Sequence, residues 1–263
     1  MDKFYKFERE RWENQYLELA ELTSEDNNFI DEYTVTYTRD KSLSDQTGIE
    51  IGKFINDASL ILNKHNGLDS YKKVGVRDSL VLFDFRSHLY APLICLANNN
   101  LKIQISPVSL NKAEMSFVDK LKAYVETHQD ILEDKSLYLL RNKSKVGMGF
   151  FDAGNFYPDY ILWIDTVDKQ YVSFVDPKGL MHIMPGNPKI EFYKTIKEYE
   201  KELLAKSLLA KPVVLNSFVM SSTEAAKLRE WWQMDISERE SKNVYTLDDC
   251  DCVDKMMAKI LAS

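Results

Sequence analysis

The chain has 263 residues, 44% of them hydrophobic, and a formal net charge of -7 at pH 7, so it can bury a sizeable core but is not basic over its whole surface. No apolar run reaches membrane-spanning length, and the charged residues among the first ten do not form the pattern of a secretory signal. Three cysteines without a disulfide framework favour a reducing compartment, so we expect a cytoplasmic protein without membrane association.

Residues 1–108 alternate between helical and strand patterns and are predicted to form an α/β lead-in region. The expected elements are helices over residues 3–23 and 48–63 and strands over residues 32–38, 78–86 and 101–105. Residues 48–54 are similar to a phosphate-binding loop, but the spacing between the glycines is one residue short. Phe54 also stands where a Ser or Thr binds Mg²⁺, so this interpretation is rejected.

Residues 109–263 are predicted to form a second domain, beginning with a helix that Asn111 caps and Glu114 completes as a capping box. A capping-box spacing also predicts a helix start at residues 221–224. The other expected elements are a strand over residues 136–142, a hairpin over residues 156–180, helices over residues 190–209 and 252–261, a strand over residues 212–219 and a further segment over residues 244–247. The order helix, strand, hairpin, helix, strand predicts a three-layer α/β sandwich around a mixed sheet.

The hairpin consists of two apolar, β-branched and aromatic runs, which is typical of strands covered on both faces. A turn centred between Val167 and Asp168, of two or of four residues, makes Ile161 face Phe174 and Asp159 face Asp176. Directly opposed residues have Cβ atoms about 4.5–5.5 Å apart, so the two carboxyl groups are expected to share one site.

Lys178 follows Asp176 at a spacing of two and therefore belongs to the same face of the strand, provided that Pro177 introduces no bulge. Two buried carboxylates repel each other unless a cation joins them, so the group is a candidate metal site. The alternative is that Asp159 and Asp176 are turn-forming residues at the strand ends and that Lys178 neutralises one of them.

Pro158-Asp159 followed by Asp176-Pro177-Lys178 resembles the PD-(D/E)xK nuclease signature, with Asp as the second acid. The flanking segments 137–142, 149–151, 156–163 and 174–180 are similar to the endonuclease domain at the C-terminal end of type III restriction helicase subunits and related helicase-nuclease proteins. Segments 84–93 and 105–111 resemble the part of that family before the nuclease. The resemblance covers most of the chain from about Ser79 onward and implies a restriction-endonuclease-like αβββαβ core.

The resemblance implies a Mg²⁺-dependent DNA endonuclease, with Mn²⁺ as a substitute metal. Asp159, Asp176 and the Pro177 carbonyl are the expected metal ligands, and Lys178 is expected to orient or deprotonate the attacking water. The sequence leaves two interpretations of Glu114 open. Either it only caps its helix, or it is a further catalytic and metal-binding acid. Asp119 and Glu126 are weaker substitutes for it.

Arg141, Lys143 and Lys145 form the best basic cluster near the hairpin and are predicted to contact DNA phosphates, against the alternative of a solvated loop. Further along, lysines alternate with glutamates at Lys189, Lys194, Lys197 and Lys201. This pattern is typical of a solvated helix face, and one or two of these lysines are expected to contact the DNA backbone.

The resemblance also implies partners: DNA, an ATP-dependent helicase region in the same polypeptide or complex, and a separate sequence-recognition subunit. The implied setting is antiviral defence in the cytoplasm of bacteria or archaea. The alternative is a catalytically silent module of the same fold that binds DNA or couples a helicase to a partner. A hydrolase with a Ser nucleophile is remote, because no Gly-x-Ser-x-Gly motif is present.

Overall fold

A computed structural model describes residues 34–37, 49, 52–53, 56, 72–73, 80–83, 93–96, 103–106, 108–142, 149–150, 156–206 and 211–263. The predicted helix at residues 3–23 lies outside these ranges. Of the helix predicted at residues 48–63, only Ile49, Gly52, Lys53 and Asn56 are described, and all four are helical.

The described residues form ten strands and six helices of at least four residues. The strands are β1 (Thr34–Tyr37), β2 (Lys72–Lys73), β3 (Leu80–Phe83), β4 (Leu93–Leu96), β5 (Ile103–Ser106), β6 (Ser136–Arg141), β7 (Tyr160–Asp165), β8 (Gln170–Lys178), β9 (Val213–Ser221) and β10 (Val244–Thr246). The helices are α1 (Lys112–Thr127), α2 (Gln129–Leu132), α3 (Pro188–Lys206), α4 (Ala225–Trp232), α5 (Ile236–Ser241) and α6 (Cys252–Leu261).

Five strands make one mixed sheet in the order β10-β9-β8-β7-β6. The strands β6, β7 and β8 are antiparallel neighbours, whereas β9 is parallel to β8 and β10 is parallel to β9. The parallel pair β8–β9 is connected through α3, since a parallel connection needs a crossover of this kind. The predicted order of a helix, three strands, a helix and a strand is confirmed.

Helices cover both faces of this sheet, as ring contacts show. Phe117 of α1 packs 5.5 Å from Tyr160, centroid to centroid, on one face. Phe174, whose side chain points to the opposite face, packs against Phe150, and Phe150 packs against Phe192 of α3. The protein is therefore an α/β fold with a mixed sheet between helices, which is compatible with a three-layer sandwich.

Two smaller sheets precede this core. The strands β1 and β5 pair with each other, and β2, β3 and β4 form an antiparallel sheet. Cys95 of β4 is fully buried in the main core and forms a parallel bridge with Leu110. The domain boundary at residues 108/109 remains a prediction, and this bridge joins the two sides of it.

One predicted helix start is wrong. Ser221 was expected to cap the helix after β9, but it is the last residue of β9, and its Oγ bonds to the backbone of Thr223. The helix α4 begins at Ala225, and the Asp248 carboxylate accepts a hydrogen bond from the Ala225 N–H. The cap thus comes from a residue distant in sequence, which a local capping pattern does not reveal. The elements β2, β4, α2 and α5 were not predicted.

Within the ranges that the structure describes, no helix combines the length and the apolar character needed to cross a membrane.

Candidate functional site

The β7–β8 hairpin has the register that the sequence predicts. Ile161 pairs with Phe174, and Trp163 pairs with Val172. Residues 166–169 form the four-residue version of the turn, closed by a hydrogen bond from the Thr166 N–H to the Lys169 carbonyl at 3.0 Å. The last pair at the other end is Tyr160 with Val175, so the next position on each strand brings Asp159 level with Asp176.

Asp159 and Asp176 are close enough for their carboxyl groups to interact, and Asp176 is only 5% exposed. Burial, the neighbouring Asp176 carboxyl group and the charge of Glu114 together raise the pKa of Asp159 to about 8, although Lys178 acts in the opposite direction. A carboxyl group whose pKa lies near 8 is mostly protonated at neutral pH. The pair therefore holds one proton near neutral pH when no cation is bound.

Lys178 lies on the same face of β8 as Asp176 and forms an ion pair with the Asp176 carboxylate. Pro177 introduces no bulge, because the pairing with β9 runs without interruption from Asp176–Val219 to Lys178–Ser221. The Lys178 ammonium also lies 5.1 Å from the centre of the buried Phe156 ring, a favourable cation–π distance. Asp159, Asp176 and Lys178 are thus gathered at one end of the hairpin.

Asn142 fixes the segment that carries Asp159, and the sequence reasoning missed this role. Its backbone N–H donates to the Asp159 carbonyl at 2.8 Å, and its side-chain amide donates to the Pro158 carbonyl at 2.8 Å. The available signal was an asparagine at the end of a predicted core strand. Its location opposite Asp159 depends on the β6–β7 register, which starts from the Arg141–Tyr160 pair.

Glu114 completes the predicted capping box, since its carboxylate accepts a hydrogen bond from the Asn111 N–H at 2.7 Å. The same carboxylate oxygen lies 3.3 Å from Arg141, and both side chains are buried. Glu114 is near enough to Asp159 to raise the pKa of that residue. The other two candidate acids of α1, Asp119 and Glu126, are exposed.

Arg141 lies in a location that differs from the predicted basic hinge. It is the last residue of β6, is 8% exposed, and donates to the carbonyls of Val108 and Ser109 as well as to Glu114. The guanidinium thus holds the segment before α1 against the sheet. Lys143 and Lys145, the other two residues of that cluster, lie outside the described residues.

The end of β8 is attached to the loop after β9. The Lys178 carbonyl accepts a hydrogen bond from the Ser222 N–H at 2.9 Å, and the Leu180 N–H donates to the Thr223 hydroxyl at 2.8 Å. These bonds fix the backbone on the C-terminal side of Lys178, just as Asn142 fixes the backbone at Asp159.

Among the described side chains, no group of three or more His, Cys, Asp or Glu residues is arranged to hold a metal ion. The donors for a cation at the hairpin are therefore the Asp159–Asp176 pair and the backbone. Cys250 and Cys252 do not present their thiols together, because Cys250 is exposed whereas Cys252 is buried in the core, where burial raises its pKa to about 11.

Comparisons of the chain with protein-family models, curated proteins and solved structures find no match.

Proposed function

We propose that the chain is a divalent-metal-dependent DNA endonuclease whose reactive centre is Asp159, Asp176 and Lys178. The observation that carries the proposal is the shared site of two carboxyl groups and an ammonium group, in which the pKa of Asp159 is raised to about 8. Strongly shifted carboxyl groups next to a charged partner are typical of functional sites.

The carboxyl pair suits a hard divalent cation. Without a cation the pair must keep a proton, and a bound ion would replace that proton and remove the repulsion between the two charges. Carboxylate oxygens favour Mg²⁺ or Mn²⁺, and the Pro177 carbonyl is the expected further ligand. When bound, Mg²⁺ supplies Lewis-acid activation of the attacking water and of the phosphoryl oxygen.

The residues of the chain provide the rest of the chemistry. Lys178 holds a positive charge beside the two acids and orients the attacking water, and its charge offsets that of the phosphate. Asn142 keeps Asp159 in position through the backbone. One carboxylate oxygen of Glu114 accepts hydrogen bonds from the Asn111 N–H and from Arg141, so Glu114 fixes the start of α1. Its negative charge also acts on the nearby site.

The fold supports the same proposal. The αβββαβ order around a mixed sheet fits a restriction-endonuclease-like core, with Asp159 directly before the second strand and Asp176 on the third. The family resemblance, which rests on the segments quoted above, makes DNA the proposed substrate. It makes an ATP-dependent helicase and a sequence-recognition subunit the proposed partners in restriction or antiviral defence.

Cleavage of supercoiled plasmid by the purified chain tests the proposal, with Mg²⁺, with Mn²⁺ and with EDTA. We expect nicking or linearisation that needs the metal and is lost in Asp176→Asn and Lys178→Gln. Asp168→Asn is the matched control, because this exposed residue lies in the turn at the opposite end of the same hairpin.

A nuclease that needs a helicase can have an intact site and still not cleave DNA by itself. Calorimetric titration with Mg²⁺ and Mn²⁺ distinguishes such a nuclease from a catalytically silent module. We expect binding by the wild type and its loss in Asp159→Asn. A wild-type chain that neither cleaves DNA nor binds a divalent ion would contradict the proposal and favour a silent module that binds DNA or couples a helicase.

A further inference from the structure

Two lysines share one aromatic ring beside the hairpin. The ammonium of Lys189, the second residue of α3, lies 5.8 Å from the centre of the Phe156 ring, and the ammonium of Lys178 lies 5.1 Å from the same point. The two nitrogens are thus no farther apart than the sum of these distances. The Phe156 ring is 1% exposed and packs against Phe192 of α3, so its position is fixed by the core.

The charges of these lysines are balanced differently. Lys178 is paired with Asp176, and other lysines on or against α3 are paired with glutamates: Lys194 with Glu191, Lys197 with Glu200, and Lys242 with Glu191. Lys189 is half-buried and, in the part of the chain that the structure describes, its ammonium forms no ion pair. A half-buried ammonium without a carboxylate partner favours an anionic ligand.

The backbone around Lys189 adds to this preference. The Asn187 side chain accepts a hydrogen bond from the Lys189 N–H at 3.0 Å, which fixes the first turn of α3. The first turn of a helix carries a partial positive charge, so it favours an anion in the same region as the ammonium.

We propose that Lys189 is a second substrate-binding cation of the nuclease, which contacts a non-bridging oxygen of a phosphate on the cleaved strand, at or next to the scissile bond. The inference rests on the proposed function. One strand of DNA presents a phosphate about every 3.4 Å along the helix axis, so two ammonium groups that lie against one ring reach phosphates close together on the same strand. Lys189 positions the substrate, whereas Lys178 acts on the reacting atoms.

DNA binding as a function of salt tests this contact. In a Lys178→Gln background with Mg²⁺, we expect Lys189→Gln to weaken the binding of a short duplex roughly 5–10-fold at 0.1 M salt. We also expect the slope of log K against log salt to fall by about one. Lys189→Arg should restore both quantities. Lys194→Gln is the matched control, because this lysine of the same helix is exposed and paired with Glu191.

Cleavage kinetics provide a second measurement in the otherwise wild-type chain. We expect Lys189→Gln to raise KM with a smaller effect on kcat, as for a group that binds the substrate before and during the reaction. Salt slopes and KM values equal to those of the Lys194→Gln control would overturn the role of Lys189 while leaving the nuclease proposal intact. A wild-type chain that neither binds nor cleaves DNA and binds no divalent ion would overturn both.

Discussion

Asp159 and Asp176 bring their carboxyl groups together at the end of the β7–β8 hairpin that is remote from the turn, and the pKa of Asp159 is raised to about 8 there. The two residues are separated in sequence by the rest of the hairpin, and the pairing of its strands places them opposite each other. Because one proton serves two acids, the stability of the fold and the affinity for cations both depend on the state of this pair.

The first prediction concerns stability and pH without divalent ions. The pKa of Asp159 rises from its ordinary value of 3.8 to about 8, so the folded state keeps a proton that the unfolded state loses. The stabilisation is complete below the ordinary value and disappears as pH rises through about 8. We expect the unfolding free energy to fall across this window by on the order of a few kcal/mol relative to Asp159→Asn. Urea denaturation at several pH values measures this difference, and parallel profiles for the two proteins would contradict it.

The second prediction concerns metal affinity. Binding of Mg²⁺ must displace the shared proton, so we expect the apparent affinity to rise by about tenfold per pH unit below pH 8. Calorimetry in buffers of different ionisation enthalpy should detect release of about one proton per ion. Asp168→Asn should behave like the wild type, because its carboxyl group is exposed and lies in the turn. An affinity independent of pH would show that the shared proton and the metal do not compete.

The third prediction concerns Gly149, whose Cβ, if present, would collide with the ring of Tyr157. Tyr157 directly precedes Pro158 and Asp159, so a displaced ring moves the backbone that carries the acid. We expect Gly149→Ala to lower the unfolding free energy by about 1–3 kcal/mol and to weaken Mg²⁺ binding. Thermal unfolding and calorimetry measure the two effects.

Two further variants identify the cause of this effect. Adding Tyr157→Ser should remove the steric part of the Gly149→Ala penalty. Gly186→Ala should change stability by no more than about 0.5 kcal/mol, because no atom lies within 4 Å of its added Cβ. An equal loss in Gly186→Ala would point to a general glycine effect rather than to the Tyr157 ring.

The fourth prediction concerns the buried ion pair of Glu114 and Arg141. Removing Glu114 leaves the Arg141 charge buried, so we expect Glu114→Ala to destabilise the fold by about 3–5 kcal/mol. Glu114→Gln should cost less, because an amide oxygen still accepts the hydrogen bond from the Asn111 N–H.

A double-mutant cycle measures this pair directly. We expect Glu114→Ala and Arg141→Ala to be non-additive by about 0.5–3 kcal/mol in urea denaturation, since they remove the same contact. Lys122→Ala with Glu126→Ala is the control, because this pair on the same helix is partly exposed and 3.8 Å apart. Additive effects at Glu114 and Arg141 would show that Arg141 acts through the Val108 and Ser109 carbonyls alone.

Strand periodicity explains why the sequence predicted the centre of the site. Two apolar runs around a short polar turn leave one register that buries both, and that register fixes which residue faces Asp159. The helix cap at Asn111 and Glu114 was equally predictable, because both hydrogen bonds join residues three positions apart. Local spacing determines such features completely.

The tertiary structure decided the roles of residues that act across the chain. Arg141 follows the pattern of a basic hinge in the sequence, yet its guanidinium is buried against Val108, Ser109 and Glu114. Ser221 has the spacing of a helix cap, but Asp248 provides the carboxylate at the start of α4.

The sequence by itself therefore determined the hairpin, its register and the meeting of Asp159 with Asp176. The reason is that side chains alternate between the two faces of a strand, and this alternation is visible within each short apolar run. Only the tertiary structure decided that Asn142 holds Asp159, that Arg141 is an internal anchor, and that Lys189 lies against the same ring as Lys178. These contacts join segments far apart in the chain, and their geometry depends on how the helices and strands pack together rather than on local spacing.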